Sequence, residues 1–131
     1  MSENPNVTTV NRMTQAILDG DKETLNSLFA DGFAFHMRAP FAAAGDHYGV
    51  DGLLGAIGAI FEATNGDVKL EQQFCIGTGD WAAEWEHAVL GRHGRTLASD
   101  NAFIYRFTGE KIAEMWMFVG ALPAAVEAFF A

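Results

Sequence analysis

The chain has 131 residues, a formal net charge of −9 and an isoelectric point of about 4.6, and half of its residues are hydrophobic. This size and composition suit one domain over residues 1–131 with a real core. The eight lysine and arginine residues do not cluster, which argues against nucleic acid as a partner, and an acidic surface is a poor match for anionic membranes. No apolar run reaches the roughly 18 residues of a membrane span, and the first ten residues lack the regions of a signal peptide. We therefore expect a cytoplasmic protein, and the single cysteine, Cys75, predicts no internal disulfide.

Two helices are predicted at the start of the chain. The first begins at Asn4-Pro5, a favourable cap and first position, and ends before the sequence DGD at residues 19–21. Asp21 is placed to cap the second helix, and Asp31-Gly32 ends it.

A strand follows over residues 33–38, where apolar side chains alternate with others at a period of two. Phe35 and Met37 lie on one face, and His36 and Arg38 lie on the other. Pro40 is expected to end this strand, and residues 41–49 are typical of a loop or a short hairpin.

The rest of the chain predicts a third helix, four strands and a short final helix. The third helix begins near Asp51 and carries an amphipathic stripe. Strands are predicted over residues 68–78, 81–91, 96–107 and 111–119, and the sequences TGD, RHG and TGEK join them as hairpin connections. Helices followed by an antiparallel meander predict an α+β fold with the helices packed on one side of the sheet.

The sequence resembles the NTF2-like (cystatin-like) fold, a cone with a pocket. It is most similar to its SnoaL-like branch, which includes polyketide cyclases and ketosteroid isomerase relatives. The similarity is carried by ILDGDKETLNSLFADGFAFH at the opening, AAGDHYGVDGLLGAI before the third helix and NAFIYRFTGEKIAEMWMF in the final hairpin. The resemblance implies a curved antiparallel sheet and a pocket for a small molecule, and dimers are common among its members. The fold alone does not specify an activity.

The resemblance also shows which known mechanisms are absent from this chain. Met13, Met37 and Phe103 align with the positions that hold the catalytic tyrosine, base and protonated aspartate in ketosteroid isomerase, an enzyme that serves as a standard example of pKa tuning. Gly120 aligns with the acid of SnoaL-type cyclases. The sequence EWEHA at residues 84–88, followed by Gly120, does not supply the Asp-Arg-Asp relay of the epoxide hydrolases of this fold.

Two histidines are candidate general bases, because the pKa of a histidine is easily tuned for proton transfer near pH 7. His87 shares a strand face with Trp81 and Trp85, and a role as a satisfied core residue is its alternative. His36 matches a histidine often found in bacterial SnoaL-like proteins, and strand register decides whether it faces a pocket or the outside.

The candidate ligand-binding residues are polar or aromatic side chains on the predicted strands and loops. Asn101 and Tyr105 could donate hydrogen bonds to a ligand oxygen, Arg38 could bind an acidic ligand or Asp46, and Tyr48 lies in a loop that often covers the pocket mouth in this fold. The full set is Arg38, Tyr48, Trp85, Asn101, Phe103, Tyr105, Met115, Trp116 and Met117. Periodicity leaves open which face of strand 111–119 lines the pocket. The four histidines show no metal-ligand spacing and no nucleotide motif occurs, so we expect neither a metal nor a cofactor.

Two classes of function remain open at this point. One is an enzyme that isomerises, dehydrates or cyclises a small hydrophobic molecule by proton transfer, with His87 or His36 as base and Asn101 or Tyr105 stabilising the oxyanion. The other is a non-catalytic module for ligand binding or subunit association. We also expect a homodimer through the outer face of the sheet, since large side chains occupy both faces of the last three strands.

Overall fold

A computed structural model describes residues 4–39 and 43–131 of the chain. Two helices, two strands and a third helix come first, and four long strands follow before a last short helix. The elements are α1 (Pro5–Asp19), α2 (Lys22–Leu28), β1 (Phe29–Arg38), β2 (Gly45–Tyr48), α3 (Gly49–Ala63), β3 (Val68–Thr78), β4 (Trp81–Arg92), β5 (Arg95–Thr108), β6 (Lys111–Val119) and α4 (Pro123–Phe130).

The helix boundaries have local causes in the sequence. The Asn4 side chain accepts a hydrogen bond from the Asn6 amide at the start of α1, and Gly20 ends this helix in the left-handed conformation. Asp21 accepts a hydrogen bond from the Thr24 amide and caps α2, as predicted. α2 ends at Leu28, earlier than predicted, because the chain turns directly into β1.

The six strands form one sheet in the order β2-β1-β6-β5-β4-β3. The four strands of the meander pair antiparallel with their sequence neighbours, as the hairpin signals predict. β1 pairs parallel with β6, so the sheet is mixed and not purely antiparallel as expected. Residues 41–49 include β2, which forms a hairpin with β1, whereas the predicted end of the strand at Pro40 lies outside the described residues.

The tight connection between β4 and β5 shows why the predicted hairpins form. Its two central residues, His93 and Gly94, both have positive φ angles, of 50° and 75°. Two-residue turns of this kind match the right-handed twist of the flanking strands. The short turn brings β4 and β5 into register over their whole lengths and fixes which side chains share a face.

The two faces of the sheet have different roles. The face that packs against α1 and α3 encloses a cavity, and we call it the cavity face; it is marked by Phe35, Glu84, Glu86, Asn101, Tyr105 and Met117. The opposite face, which we call the outer face, is marked by His36, Trp81, Trp85, His87, Ile104 and Trp116. On the cavity face, apolar side chains of the strands and helices form the main core, in which Leu25, Phe35, Leu53 and Ile112 are fully buried.

Candidate functional site

A cavity of about 120 Å³ lies between α1, α3 and the cavity face of the sheet. Most of its wall is apolar, which suits a ligand with a large hydrocarbon surface. Leu18 and Leu70 belong to this wall yet are 60% and 46% exposed, so they mark its opening to solvent. The polar side chains in the wall are Thr14, Glu84, Glu86, Ser99, Asn101 and Tyr105.

Glu84 is a buried carboxylate in the wall of the cavity. The Tyr105 hydroxyl donates a hydrogen bond to its Oε1 at 2.8 Å, and Gln72 Nε2 donates to its Oε2 at 2.7 Å. Both oxygens therefore have a donor, as a buried charged group requires. Burial and the neighbouring charge of Glu84 raise the pKa of Tyr105 well above its ordinary value, so its hydroxyl keeps its proton and remains a donor.

Glu86 is the second carboxyl group on the same strand and faces the same cavity. Burial and then the charge of Glu84 raise its pKa from 4.5 to about 7, while a hydrogen bond with the Asn101 side chain opposes this rise. Ser99 Oγ donates to Asn101 Oδ1 at 2.6 Å, which leaves the Asn101 amide hydrogens for Glu86 and for a ligand. Glu86 can therefore exchange a proton near neutral pH, as a general acid or base must.

Five of the ligand-binding residues proposed from the sequence lie in the cavity wall: Asn101, Phe103, Tyr105, Met115 and Met117. β5 and β6 bring them together because alternate residues of neighbouring strands point to one face. The Tyr105 hydroxyl proton is already committed to Glu84, so Asn101 is the better donor to a ligand oxygen. A cyclase-type acid has no room at Gly120, since a β-carbon there would collide with the backbone carbonyl of Asp100.

His87, Trp85 and Trp116 lie on the outer face, and this placement corrects the expectation that they line the pocket. The register of β4 turns Glu84 and Glu86 toward the cavity and thereby turns Trp85 and His87 away from it. His87 Nδ1 lies 2.8 Å from an oxygen of Asp100 at the partly exposed surface. Hydrophobicity alone predicts that the tryptophans of β4 face the helices. In the structure they lie on the face that the helices do not contact.

His36 and Arg38 also lie on the outer face, because the alternate residues Phe35 and Met37 line the cavity. His36 Nδ1 is 2.6 Å from Asp46 Oδ1, and its Nε2 is 2.8 Å from Glu114 Oε2. Burial lowers the pKa of His36, but the hydrogen bonds with the two carboxylates outweigh burial, and the net shift is upward. His36 thus joins β1, β2 and β6 through an ionic network and does not reach the cavity.

Arg38 and Tyr48 are exposed, and neither belongs to the cavity wall. Arg38 Nη1 lies 3.3 Å from Asp46 Oδ1, so its partner is the predicted aspartate. Tyr48 is the last residue of β2, an edge strand on the far side of the sheet from β3. The exposed wall residues that mark the opening of the cavity are Leu18 and Leu70, and Tyr48 is not among the residues that line it.

Replacing His36 with Gln is expected to destabilise the fold mainly at low pH. Because the pKa of His36 is raised in the folded chain, its contribution is complete below the ordinary histidine value of about 6.5 and is lost as pH rises through the folded value. We expect a loss of about 1 kcal/mol at pH 5.5, since its partners are partly exposed, and a smaller loss at pH 9. Urea unfolding at both pH values measures this difference. His87→Gln is the control, and an equal, pH-independent loss in both variants would contradict the assignment.

The two carboxyl groups of the cavity were not among the residues proposed from the sequence. Their signal was the sequence EWE at residues 84–86, which places Glu84 and Glu86 on one face of a strand, about 7 Å apart along the chain. Two charged groups on a strand face are usually read as a solvated surface. Only the position of α1 over this part of the sheet turns that face into the wall of a cavity.

Within residues 4–39 and 43–131, no group of three or more His, Cys, Asp and Glu side chains is arranged to hold a metal ion. Over the same residues, none of the helices combines the length and the apolar character that crossing a membrane requires.

The chain matches no curated protein sequence, but it does match a family profile and solved structures. The profile of the SnoaL-like domain matches residues 10–115. Bal32a, from a soil-derived mobile gene cassette, superposes with a TM-score of 0.83 at 22% identity, over 97% of each chain. An NTF2-like protein from Burkholderia xenovorans gives 0.74 at 18% identity, over 100% of this chain and 99% of the other.

A third structure, from Jannaschia, is described as a candidate SnoaL-like polyketide cyclase. It superposes with a TM-score of 0.79 at 15% identity, over 100% of this chain and 98% of its own. At these identities the structural likeness shows the fold alone, whereas the profile match covers most of the chain. The cavity between helices and sheet, the NTF2-like fold and the profile match agree: the chain belongs to the SnoaL-like family.

Proposed function

We propose that this protein is an enzyme that moves a proton on a small hydrophobic carbonyl compound, with Glu86 as its general base and acid. The observation that carries this proposal is a carboxyl group with a pKa of about 7 in the wall of an otherwise largely apolar cavity. A group that titrates near the working pH combines useful basicity with a substantial ionised fraction. The cavity also suits the hydrocarbon part of such a substrate.

In the proposed reaction, ionised Glu86 removes a proton from the carbon next to the substrate carbonyl. The electron pair of the C–H bond moves to the carbonyl oxygen, and an Asn101 N–H stabilises the oxyanion that forms. Protonated Glu86 then returns the proton. Return of the proton to another carbon of a conjugated enolate gives an isomer, and its transfer to a β-hydroxyl group that leaves as water gives dehydration. If the enolate attacks a second carbonyl, the proton goes to the alkoxide that forms, which completes an aldol-type cyclisation.

The assignment replaces a histidine base with Glu86. His87 and His36 lie on the outer face, and the sheet separates them from the cavity. A general base must come within hydrogen-bonding distance of the proton that it removes. Neither histidine meets this requirement for a ligand bound between α1, α3 and the cavity face.

Deuterium uptake by an apolar methyl ketone tests the proposal without knowledge of the natural substrate. 2-Acetylnaphthalene is incubated with the protein in D₂O, and mass spectrometry follows deuterium in its methyl group. We expect exchange above the buffer rate, a fall of at least about tenfold in Glu86→Gln, and no loss in His87→Gln. Exchange that survives in Glu86→Gln would remove Glu86 from the mechanism.

The second candidate function is ligand binding without catalysis. One observation favours it. Met13, Met37 and Phe103 line the cavity, and these apolar residues align with the catalytic tyrosine, base and protonated aspartate of ketosteroid isomerase. Binding of 2-acetylnaphthalene with no exchange above the buffer rate would support this candidate and contradict the first.

A homodimer through the outer face is part of the proposal. The outer face exposes large apolar side chains, namely Phe74, Ile76, Trp81, Trp85 and Phe118, although soluble chains rarely expose a contiguous patch of this kind. A second copy related by a twofold axis would cover the patch with the same patch. The cavity opens elsewhere, so the two sites would not compete.

Light scattering is expected to give about twice the 14.2 kDa mass of one chain. Trp85→Asp places a charge on the outer face and should give a monomer, whereas Leu122→Asp, at an exposed site before α4, should not. A wild-type mass equal to that of one chain would refute the dimer.

A further inference from the structure

Glu84 is a buried carboxyl group held by hydrogen bonds on both of its oxygens. Tyr105 and Gln72 donate to its two oxygens, and Gln72 Nε2 also lies 3.0 Å from Asn11 Oδ1, which fixes the amide. Protonation of Oε1 would require the Tyr105 hydroxyl to accept instead of donate, and protonation of Oε2 would turn a hydrogen toward the Gln72 N–H. Two donors aimed at its two oxygens give this side chain, which is only 6% exposed, the hydrogen-bond pattern of a carboxylate acceptor.

Among the described residues, no cationic side chain faces Glu84 inside the cavity. The described residues of the wall include Glu84 and Glu86 but no Lys, Arg or His. The charged network of His36 and Arg106 lies on the outer face, beyond the sheet. Since apolar walls screen charge weakly, a second negative charge next to Glu84 would be strongly disfavoured.

We propose that Glu84 is a specificity-determining residue that excludes anions and restricts the cavity to ligands without negative charge. This inference rests on the proposed function only in placing the ligand in the same cavity. It names the substrate class more narrowly: a hydrophobic compound with an uncharged oxygen function, and no free carboxylate.

Anion exclusion is compatible with proton transfer through an enolate. When Glu86 takes the proton, its own negative charge disappears as the enolate charge forms. The number of negative charges in the cavity stays constant during this step. An anionic ligand, in contrast, adds a charge when it binds, and Glu84 opposes that addition throughout.

Three naphthalene probes with nearly the same shape test this inference. 2-Naphthamide is uncharged, 2-naphthoate is anionic and 2-naphthylmethylamine is cationic at pH 7.5, and ligand-observed NMR gives their dissociation constants. We expect 2-naphthoate to bind at least about tenfold more weakly than 2-naphthamide, because like charges at close range cost several kcal/mol. The cationic probe should bind at least as well as the amide.

The variant Glu84→Gln keeps the size of the side chain and removes its charge. Introduced into a Glu86→Gln background, in which residue 86 carries no charge, it should bring the dissociation constants of 2-naphthoate and 2-naphthamide within about threefold of each other. Glu71→Gln in the same background, on the outer face of β3, should leave the gap unchanged. If the double variant does not fold, the anionic and cationic probes decide the point with Glu86→Gln alone, in which Glu84 is the one charged side chain left among the described residues of the wall.

Several outcomes would overturn the inference. Equal binding of naphthoate and naphthamide, equal rejection of anion and cation, a gap that persists when Glu84→Gln is added to folded Glu86→Gln, or no binding of any probe would each contradict it. None of these readouts requires proton transfer. If the probes discriminate by charge but deuterium exchange is absent, the proposed reaction fails and the specificity of the cavity stands.

Discussion

Glu86→Gln is expected to stabilise the protein by about 2–3 kcal/mol more at pH 8 than at pH 5. The pKa of Glu86 rises from 4.5 in the unfolded chain to about 7 in the fold, so between these values the folded state binds more protons. The unfolding free energy of the wild type therefore falls as pH rises across this window. Gln carries no charge and avoids that cost, while it keeps a hydrogen-bonding group beside Asn101.

Urea unfolding of both proteins at pH 5 and pH 8 measures this effect. Glu110→Gln, in the exposed turn between β5 and β6, is the matched control and should change stability by less than about 0.5 kcal/mol at either pH. A Glu86→Gln variant with the same stability difference at both pH values would mean that Glu86 titrates normally. A gain in stability combined with loss of exchange would be typical of a residue kept for function.

Tyr105→Phe should lower the unfolding free energy by about 1–3 kcal/mol. The change removes the hydroxyl that donates to Glu84 Oε1 and leaves a buried carboxylate oxygen without its partner. The ring remains, so lost packing contributes little. Thermal or urea unfolding at pH 7 measures the loss.

The chain offers a matched control, since its only other tyrosine, Tyr48, is 69% exposed. Tyr48→Phe should stay within about 0.5 kcal/mol of the wild type. If the two variants are equally stable, the hydroxyl of Tyr105 does not support Glu84 as the structure indicates. The outcome bears on both carboxyl groups, because the charge of Glu84 helps to raise the pKa of Glu86.

Local signals in the sequence predicted most of the fold. The helix caps at Asn4 and Asp21 and the hairpin at His93-Gly94 are short-range features, and the structure has them where the sequence places them. The parallel pairing of β1 with β6 joins residues about 80 positions apart, and no local pattern reports it. The resemblance to the SnoaL-like family was confirmed by the family match.

The site was harder to predict because β4 reverses the usual distribution, in which apolar side chains face the core and charged side chains face solvent. Trp81 and Trp85 are partly exposed on the outer face, while Glu84 and Glu86 face inward. Amphipathic alternation shows that two faces differ, but it does not show which of them the helices cover. An inward carboxyl pair is costly for stability, and this cost is one reason why we propose a function for it.

The most direct test of this account is the pKa of the Glu86 side chain, measured by carboxyl-detected ¹³C NMR across pH 4 to 9. The account predicts a midpoint at about 7, and a lower midpoint in Glu84→Gln, where the neighbouring charge is gone. A midpoint near the ordinary value of 4.5 would contradict it, because Glu86 would then be fully ionised at neutral pH and poorly suited to exchange protons there.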